Sequence, residues 1–168
     1  MQESLLHLHP AHDLRSPYQG LSITELFERN PIWLRTSATL LDAAQLMAQN
    51  HIGDIIVVKE QNEKLIPVGM LTDRDIVVKA VARRIAAEAM KVSELMTLDV
   101  ITAKDSSSLS EVMHLMSDNG VSRLPIVNEA GSLVGILTSK RLFQYLAQGL
   151  CELSTLSRQQ LEREEGRH

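Results

Sequence analysis

Apolar and polar positions follow two periods along this chain, and the pattern runs through twice. Leu40, Ala43, Ala44 and Met47 recur at helical spacing, and so do Leu109, Val112, Met113 and Met116. A hydroxyl with an acid three places on opens each run: Thr39 with Asp42, and Ser108 with Glu111. That is the signature of a capping box. Asn50-His51 and Asn119-Gly120 close the runs as helix C-caps do. Two apolar stretches follow each helix and predict strands at 54–59 and 68–71, then at 124–128 and 133–137. A turn, Asn128-Glu129-Ala130-Gly131, joins the second pair. A second helix is predicted from 73 to about 83, and from 139 to about 148. Short extended segments at 31–36 and 100–102 come first. The order is βαββα, twice.

The two halves match residue by residue. SITELF (22–27) resembles KVSELM (91–96), and QLMAQNHIGDIIVV (45–58) resembles HLMSDNGVSRLPIV (114–127). Both keep an offset of 69 residues, so Leu40 maps to Leu109 and Met47 to Met116. VGMLTDRDI (68–76) matches VGILTSKRL (134–142) at an offset of 66. Three extra residues in the first copy therefore fall in the polar stretch KEQNEKLIP, read as a loop. Three blocks in one order indicate a duplication. A copy of roughly 60 residues makes a marginal core, so the copies are expected to pair face to face as a pseudo-two-fold α/β (α+β) unit. Clefts between them suit small ligands. The expected division is an extension at 1–20, a first repeat at 21–84, a linker at 85–90, a second repeat at 91–150 and a helical tail at 151–168. The tail is charged with sparse apolar points, Leu153, Leu156 and Leu161, and reads as a solvated helix.

Composition narrows the function classes. The 168 residues are 44% hydrophobic and 23% charged, with a formal net charge of -4. Arg83-Arg84 is a pair and not a basic patch, which argues against nucleic acid. Cys151 is the single cysteine, which rules out a disulfide within the chain and fits a reducing compartment. No apolar stretch approaches the ~20 residues of a membrane helix, and the N-terminus lacks a secretory pattern. A cytoplasmic location is expected.

The strongest candidate chemistry lies in GMLTDRD (69–75), where a strand gives way to a helix. Free backbone N–H groups at a helix start attract phosphate. Gly69 permits close approach of a ligand or of a neighbouring backbone. Thr72 offers a hydroxyl to phosphate, and Asp75 two acceptors to ribose hydroxyls. Thr72 and Asp75 also form a capping box, which needs no ligand, and spacing alone leaves both readings open. The second copy keeps Gly135 and Thr138 but carries Arg141 where Asp75 stands, so the two helix starts do different jobs. Other features read as structure. His7, His9 and His12 form H-x-H-x-x-H without a Cys or carboxylate constellation, so no metal site is assigned. Met47, Met96, Met113 and Met116 have core spacing. Trp33 is read as packing. Cys151 lacks a basic or His partner pattern, and no hydrolase elbow, zincin, P-loop or dinucleotide fingerprint occurs. No catalytic residue is assigned.

With these motifs in view, the chain resembles a CBS-domain pair, or Bateman module, of the small stand-alone bacterial type. The resemblance covers roughly residues 20–150. It is carried by the ELF and ELM starts, LMAQN and LMSDN, GVSRLPIV, and above all GMLTDRD and GILTSKR. It implies a regulatory, non-enzymatic module binding AMP, ADP or ATP between its repeats. Thr72 would meet phosphate and Asp75 the ribose, with Gly69 beside them. The base would lie against Thr102, Val121, Ser122, Arg123 and Pro125, and Arg123 would reach phosphate. The other cleft would join Thr138 and Arg141 to Leu34, Ile52, Gly53 and Asp54. There Arg141 replaces the ribose-binding acid, Ile56 stands in place of Pro125, and Asp54 in place of Arg123. One competent site and one weak, altered or empty site are therefore expected. The resemblance further implies a homodimer and an effector protein outside this chain. The alternatives are a scaffold that has lost its ligand, or a module that takes S-adenosylmethionine or NAD. An enzyme acting on nucleotides would need a metal cluster or a base–nucleophile pair, and the sequence offers neither.

Overall fold

A computed structural model describes residues 21–165, with side chains through residue 155. The chain runs β1 (Glu28–Arg29), β2 (Trp33–Arg35), α1 (Leu40–Asn50), β3 (Asp54–Gln61), β4 (Lys64–Thr72) and α2 (Asp73–Asp75). After α2 the backbone continues as a π-helix, Ile76–Ala80, and a 3-10 turn, Val81–Arg83. A further 3-10 turn, Val92–Glu94, opens the second half, followed by β5 (Ala103–Lys104), α3 (Leu109–Asn119), β6 (Arg123–Val127), β7 (Leu133–Thr138) and α4 (Ser139–Glu165).

Both predicted capping boxes form. Thr39 and Ser108 accept from the amides of Asp42 and Glu111, at 3.1 and 3.2 Å, and each acid returns to its cap backbone. His51 and Gly120 end the helices in the left-handed conformation. The strands make two sheets, ordered β2-β3-β4 and β1-β7-β6-β5. A buried cluster of Ile56, Val58 and Leu133, flanked by Trp33, Leu65, Met70 and Ile136, joins them. Trp33 thus packs in the seam between the repeats.

The repeats exchange their leading segments. β1 comes from the first half of the chain but pairs antiparallel with β7, with Glu28 opposite Ile136. In return, Thr97 and Met70 bond in both directions, at 2.8 and 3.1 Å. Ile23, Leu26 and Phe27 are buried with Leu109, Leu124 and Leu137 in the second core. Val92 and Leu95 are buried with Leu40, Ile55 and Leu71 in the first. Each core is therefore closed by the other half of the chain, which answers the small size of a single copy. The motif glycines lie under these crossings. A Cβ on Gly69 would come within 2.9 Å of the Thr97 carbonyl, and one on Gly135 within 2.7 Å of the Glu28 carbonyl. Of the two reasons for Gly69, the approaching backbone is the one on view.

Four predicted elements differ. The three extra residues do not make a loop; they lengthen β3 and β4, which close through Asn62-Glu63, both with positive φ (50° and 60°). That is the geometry of a tight two-residue hairpin. The strand expected at 100–102 falls instead at β5, immediately after that segment. The segment 73–83 is not a regular α-helix. Three consecutive β-branched residues, Ile76, Val77 and Val78, lie in its π portion, where crowding against the previous turn disfavours α-geometry. The helix expected to end near 148 continues through Gly149 to Glu165, so the tail is part of α4.

Candidate functional site

Thr72 is the last residue of β4 and the N-cap of α2. Its Oγ1 donates to Asp75 Oδ2 at 2.6 Å and accepts from the Asp75 amide at 3.0 Å. Asp75 Oδ1 pairs with Lys79 Nζ at 2.8 Å. Burial pushes the Asp75 carboxyl up, but hydrogen bonds from Lys79 and Thr72 outweigh it and hold the group below its ordinary range. The capping box is therefore made, and Asp75 is ionised at neutral pH. Asp75 Oδ2 accepts from both the amide and the hydroxyl of Thr72, so Oδ1, beside Lys79, is the oxygen with a second acceptor position to which a ribose hydroxyl can add without dismantling the cap. Lys79 went unread in the sequence, although it stands four residues from Asp75 on one helix face.

The second helix start keeps half of this device. Thr138 Oγ1 accepts from the Arg141 amide at 3.2 Å. The returning acid is replaced by a guanidinium, which donates and cannot accept.

Between the two starts lies an ion pair. Asp54 stands opposite Thr72 in the β3–β4 register, and Arg123 opposite Thr138 in the β6–β7 register. Asp54 and Arg123 occupy equivalent places in the two copies, and Arg123 Nε is bonded to the Asp54 carboxylate across the seam. The Asp54 side chain is 14% exposed and that of Arg123 38%. Burial raises the Asp54 carboxyl above its ordinary value, Arg123 draws it down, and Asp73 pushes it up again. Arg123 is thus occupied as a tie between the repeats. To meet a phosphate it must leave Asp54 or share itself with it.

Two contiguous cavities open on the Thr138 side. One of about 430 Å³ is lined by Phe27, Glu28, Thr138, Lys140, Arg141 and Gln144. A smaller one of about 90 Å³ takes in Glu28, Ile52, Asp54, Ile56, Arg123 and Thr138. The structure therefore gathers Ile52, Asp54, Thr138 and Arg141. It places two other members of that set elsewhere. Gly53 lies behind Asp73, its carbonyl accepting from the Asp73 amide at 2.9 Å. Leu34 lines an outer cavity of about 440 Å³ with Trp33 and Arg35. Glu28 and Lys140 were missed in the sequence; Glu28 arrives through the exchanged strand, which no local pattern announces.

Of the second-repeat residues expected to complete the Thr72 cleft, Arg123 is the one seen to reach it, through Asp54, the strand partner of Thr72. Pro125 is buried in β6 opposite Ile136, and Thr102 is half-buried just before β5. Val121 and Ser122 line an apolar groove of about 450 Å³ between α3 and α4, with Met113, Leu142 and Phe143. The Ser122 carbonyl accepts from the Ser139 amide at 2.8 Å, so it also braces the start of α4.

Among the described residues no group of three His, Cys, Asp or Glu is placed to hold a metal ion, and no helix is long and apolar enough to cross a membrane. His7, His9 and His12 lie outside the described residues.

Comparison with known proteins agrees with this architecture. The CBS domain family profile matches residues 23–81 and 92–148. An uncharacterized protein of Methanopyrus kandleri is 32% identical over 126 residues, 75% of this chain and 63% of that protein. A CBS domain protein from Pyrobaculum aerophilum, solved in complex with AMP, superposes with a TM-score of 0.64 at 28% identity, over 73% of this chain and 90% of that one. A hexameric CBS-CP12 protein from bloom-forming cyanobacteria superposes with a TM-score of 0.61 at 26% identity, over 73% and 69%. Two tandem repeats, each closed by the other's leading segment and each matching the same profile, make this chain a member of the CBS-domain family that carries a CBS pair.

Proposed function

We propose that this chain is a ligand-sensing regulatory module that binds an adenine nucleotide between its repeats and signals through a partner protein. The observation that carries the reading is the position of the Asp54–Arg123 pair. It ties the repeats together and stands directly opposite both helix starts, Thr72 and Thr138. A ligand at either start lies beside that tie, and any preference it has for one setting of the repeats shifts their packing. Asp75 takes the ribose and Thr72 the phosphate, with Arg123 reaching across the seam to Asp54, the strand partner of Thr72. The AMP complex of a relative supports the ligand class. The chain performs no chemistry on the nucleotide; its output is a change read by another chain or by its own copies, and the hexameric relative supports self-association.

A second reading is favoured by the cavities, which open at Thr138, Lys140 and Arg141. In that reading phosphate occupies the Arg141 side and the Asp75 side stays closed by its own cap. Calorimetric titration with AMP, ADP, ATP, S-adenosylmethionine and NAD separates the readings. One adenosine ligand should bind with about one site per chain, and Asp75→Ala should remove most of the affinity (~1.5–3 kcal/mol for a lost charge-assisted bond). Unchanged affinity in Asp75→Ala with loss in Arg141→Ala would install the second reading. No heat with any of the five would leave a scaffold.

A further inference from the structure

Asp54 opens β3 with its side chain largely buried, and among the described residues the cation bonded to it is Arg123, from the other repeat. Burial and, more weakly, Asp73 at the start of α2 hold its carboxyl above the ordinary value, against the pull of Arg123. The other groups around it do not replace that cation. Glu28 of β1 lines the same small cavity as Asp54 and Arg123, and is a further acid. Lys140 and Arg141 of α4 line the adjoining cavity. On the β4 side Thr72 is the strand partner of Asp54, and Asp75 beyond it is already paired with Lys79. Arg74 is exposed, and so is His51 at the end of α1. Asp54 therefore keeps its charge by means of one guanidinium, and that guanidinium lies where a phosphate is expected.

We propose that nucleotide binding is coupled to proton uptake at Asp54: as phosphate arrives beside Arg123, the Asp54 carboxylate takes a proton from solvent and its bond to Arg123 weakens. The inference rests on the nucleotide-binding reading and names how that site is regulated. Thr72 and Thr138 are the strand partners of Asp54 and Arg123, so a phosphate at either helix start lies beside the pair. The cavity of about 90 Å³ at the pair gives solvent a way to it. Arg123 has two responses, and both end alike. If its guanidinium turns to the phosphate, Asp54 stays buried without the group that held its carboxyl down. If Arg123 keeps Nε on Asp54 and gives its other N–H groups to the phosphate, one cation serves two anions, with Asp73 and Glu28 close by. The like charges again disfavour the carboxylate. Arg123 is 38% exposed and has room to turn, whereas Asp54 is 14% exposed and fixed in the β3–β4 ladder. A buried carboxylate that loses its cation is neutralised by a proton. The proton thus takes the place of Arg123: the phosphate brings negative charge to the guanidinium, and the proton removes one from Asp54. A ligand that raises the pKa of a group takes up protons, and so binds more tightly as pH falls through the range where that group titrates. The module therefore reads nucleotide and acidity together, at the tie between its repeats.

Calorimetric titration of the full chain with AMP, in buffers of different ionisation heat, counts the protons taken up. A phosphate monoester itself titrates near pH ~6. That contribution is common to the wild type and to Asp54→Asn, which keeps the shape of the side chain and removes the proton site. The wild type should take up more protons per AMP than the variant. Its affinity relative to the variant should rise at least about threefold between about pH 7 and about pH 5. Infrared difference spectra of the wild type give a second readout: AMP should add a protonated-carboxyl band that shifts when aspartate is isotope-labelled. Should Asp54→Asn lose AMP, that band decides alone. Equal proton counts in the two proteins, with AMP bound by both, would overturn the coupling and leave the nucleotide reading standing, as would AMP-bound wild type without the band. A wild type that binds none of AMP, ADP and ATP would overturn both.

Discussion

The two repeats begin their second helices with the same hydroxyl and opposite charge. At the first start stand Asp54, Asp73 and Asp75, with Arg74 and Lys79; at the second stand Arg123, Lys140 and Arg141, with Glu28. The backbone frame is common to both: a strand end, a capping threonine, and a glycine under a crossing backbone. Duplication preserved what folding requires and released what it does not. The crossing glycines and capping hydroxyls are held by contacts present in both halves. The third residue of the helix is held by the cap only where it is an acid, and there a change of sign alters the ligand the cleft can take. The difference between the repeats is thus electrostatic, laid over a shared architecture.

The largest effect should come from breaking what the repeats share. Phe27 belongs to the first repeat in sequence but is buried in the second core. Phe27→Ala should destabilise the whole chain by ~3–5 kcal/mol in thermal or urea unfolding, in a single transition. Two separate transitions, with the first core unaffected, would show that the exchange does not couple the repeats.

The next comparison concerns the tie between them. Asp54→Ala leaves Arg123 without its partner, and since Arg123 is part-exposed the cost should be about 1–2 kcal/mol, less than for a fully buried pair. The double replacement Asp54→Leu with Arg123→Met should recover most of that loss in a double-mutant cycle. Additive losses would mean that the pair does not act as a unit.

A smaller effect sharpens the contrast between caps. Asp75 has its carboxyl held low against the opposing pull of burial, by Lys79 and Thr72; Asp42 and Glu111 are held low chiefly by backbone and side-chain hydrogen bonds at Thr39 and Ser108. Groups lowered in the folded state contribute fully above their unfolded values of 3.8 and 4.5, and the contribution fades as pH falls through the lower folded values. Stability should therefore drop below about pH 4. Thr72→Ala should shrink that slope, while Thr138→Ala should leave it unchanged, because Arg141 carries no carboxyl. Equal slopes in both variants would contradict the assigned partners.

Much of this was legible in the chain because it is local. Thr39 with Asp42, Ser108 with Glu111 and Thr72 with Asp75 are three-residue patterns, and all three boxes form as read. The duplication was legible because the two copies carry the same blocks in the same order. What escaped depends on distant residues. The exchange of Phe27 and Val92 between cores follows from closing two half-sized cores, and no periodicity within either segment shows it. The Asp54–Arg123 pair joins equivalent positions across the seam; the sequence shows the substitution but not that the two side chains meet. The tight turn at Asn62-Glu63 was missed because the apolar pattern stops where β3 and β4 leave the core and continue exposed. The length of α4 was missed because the charged tail reads as a helix of its own, and here one helix runs through Gly149 without a break.

Amide hydrogen exchange with and without AMP tests the central claim most directly, because it reads both helix starts in one sample. The account predicts slowed exchange at residues 69–79 and at 121–125 across the seam, with a smaller change at 135–144. Protection confined to the outer face around residues 33–49, or none anywhere at saturating AMP, would contradict a nucleotide site between the repeats.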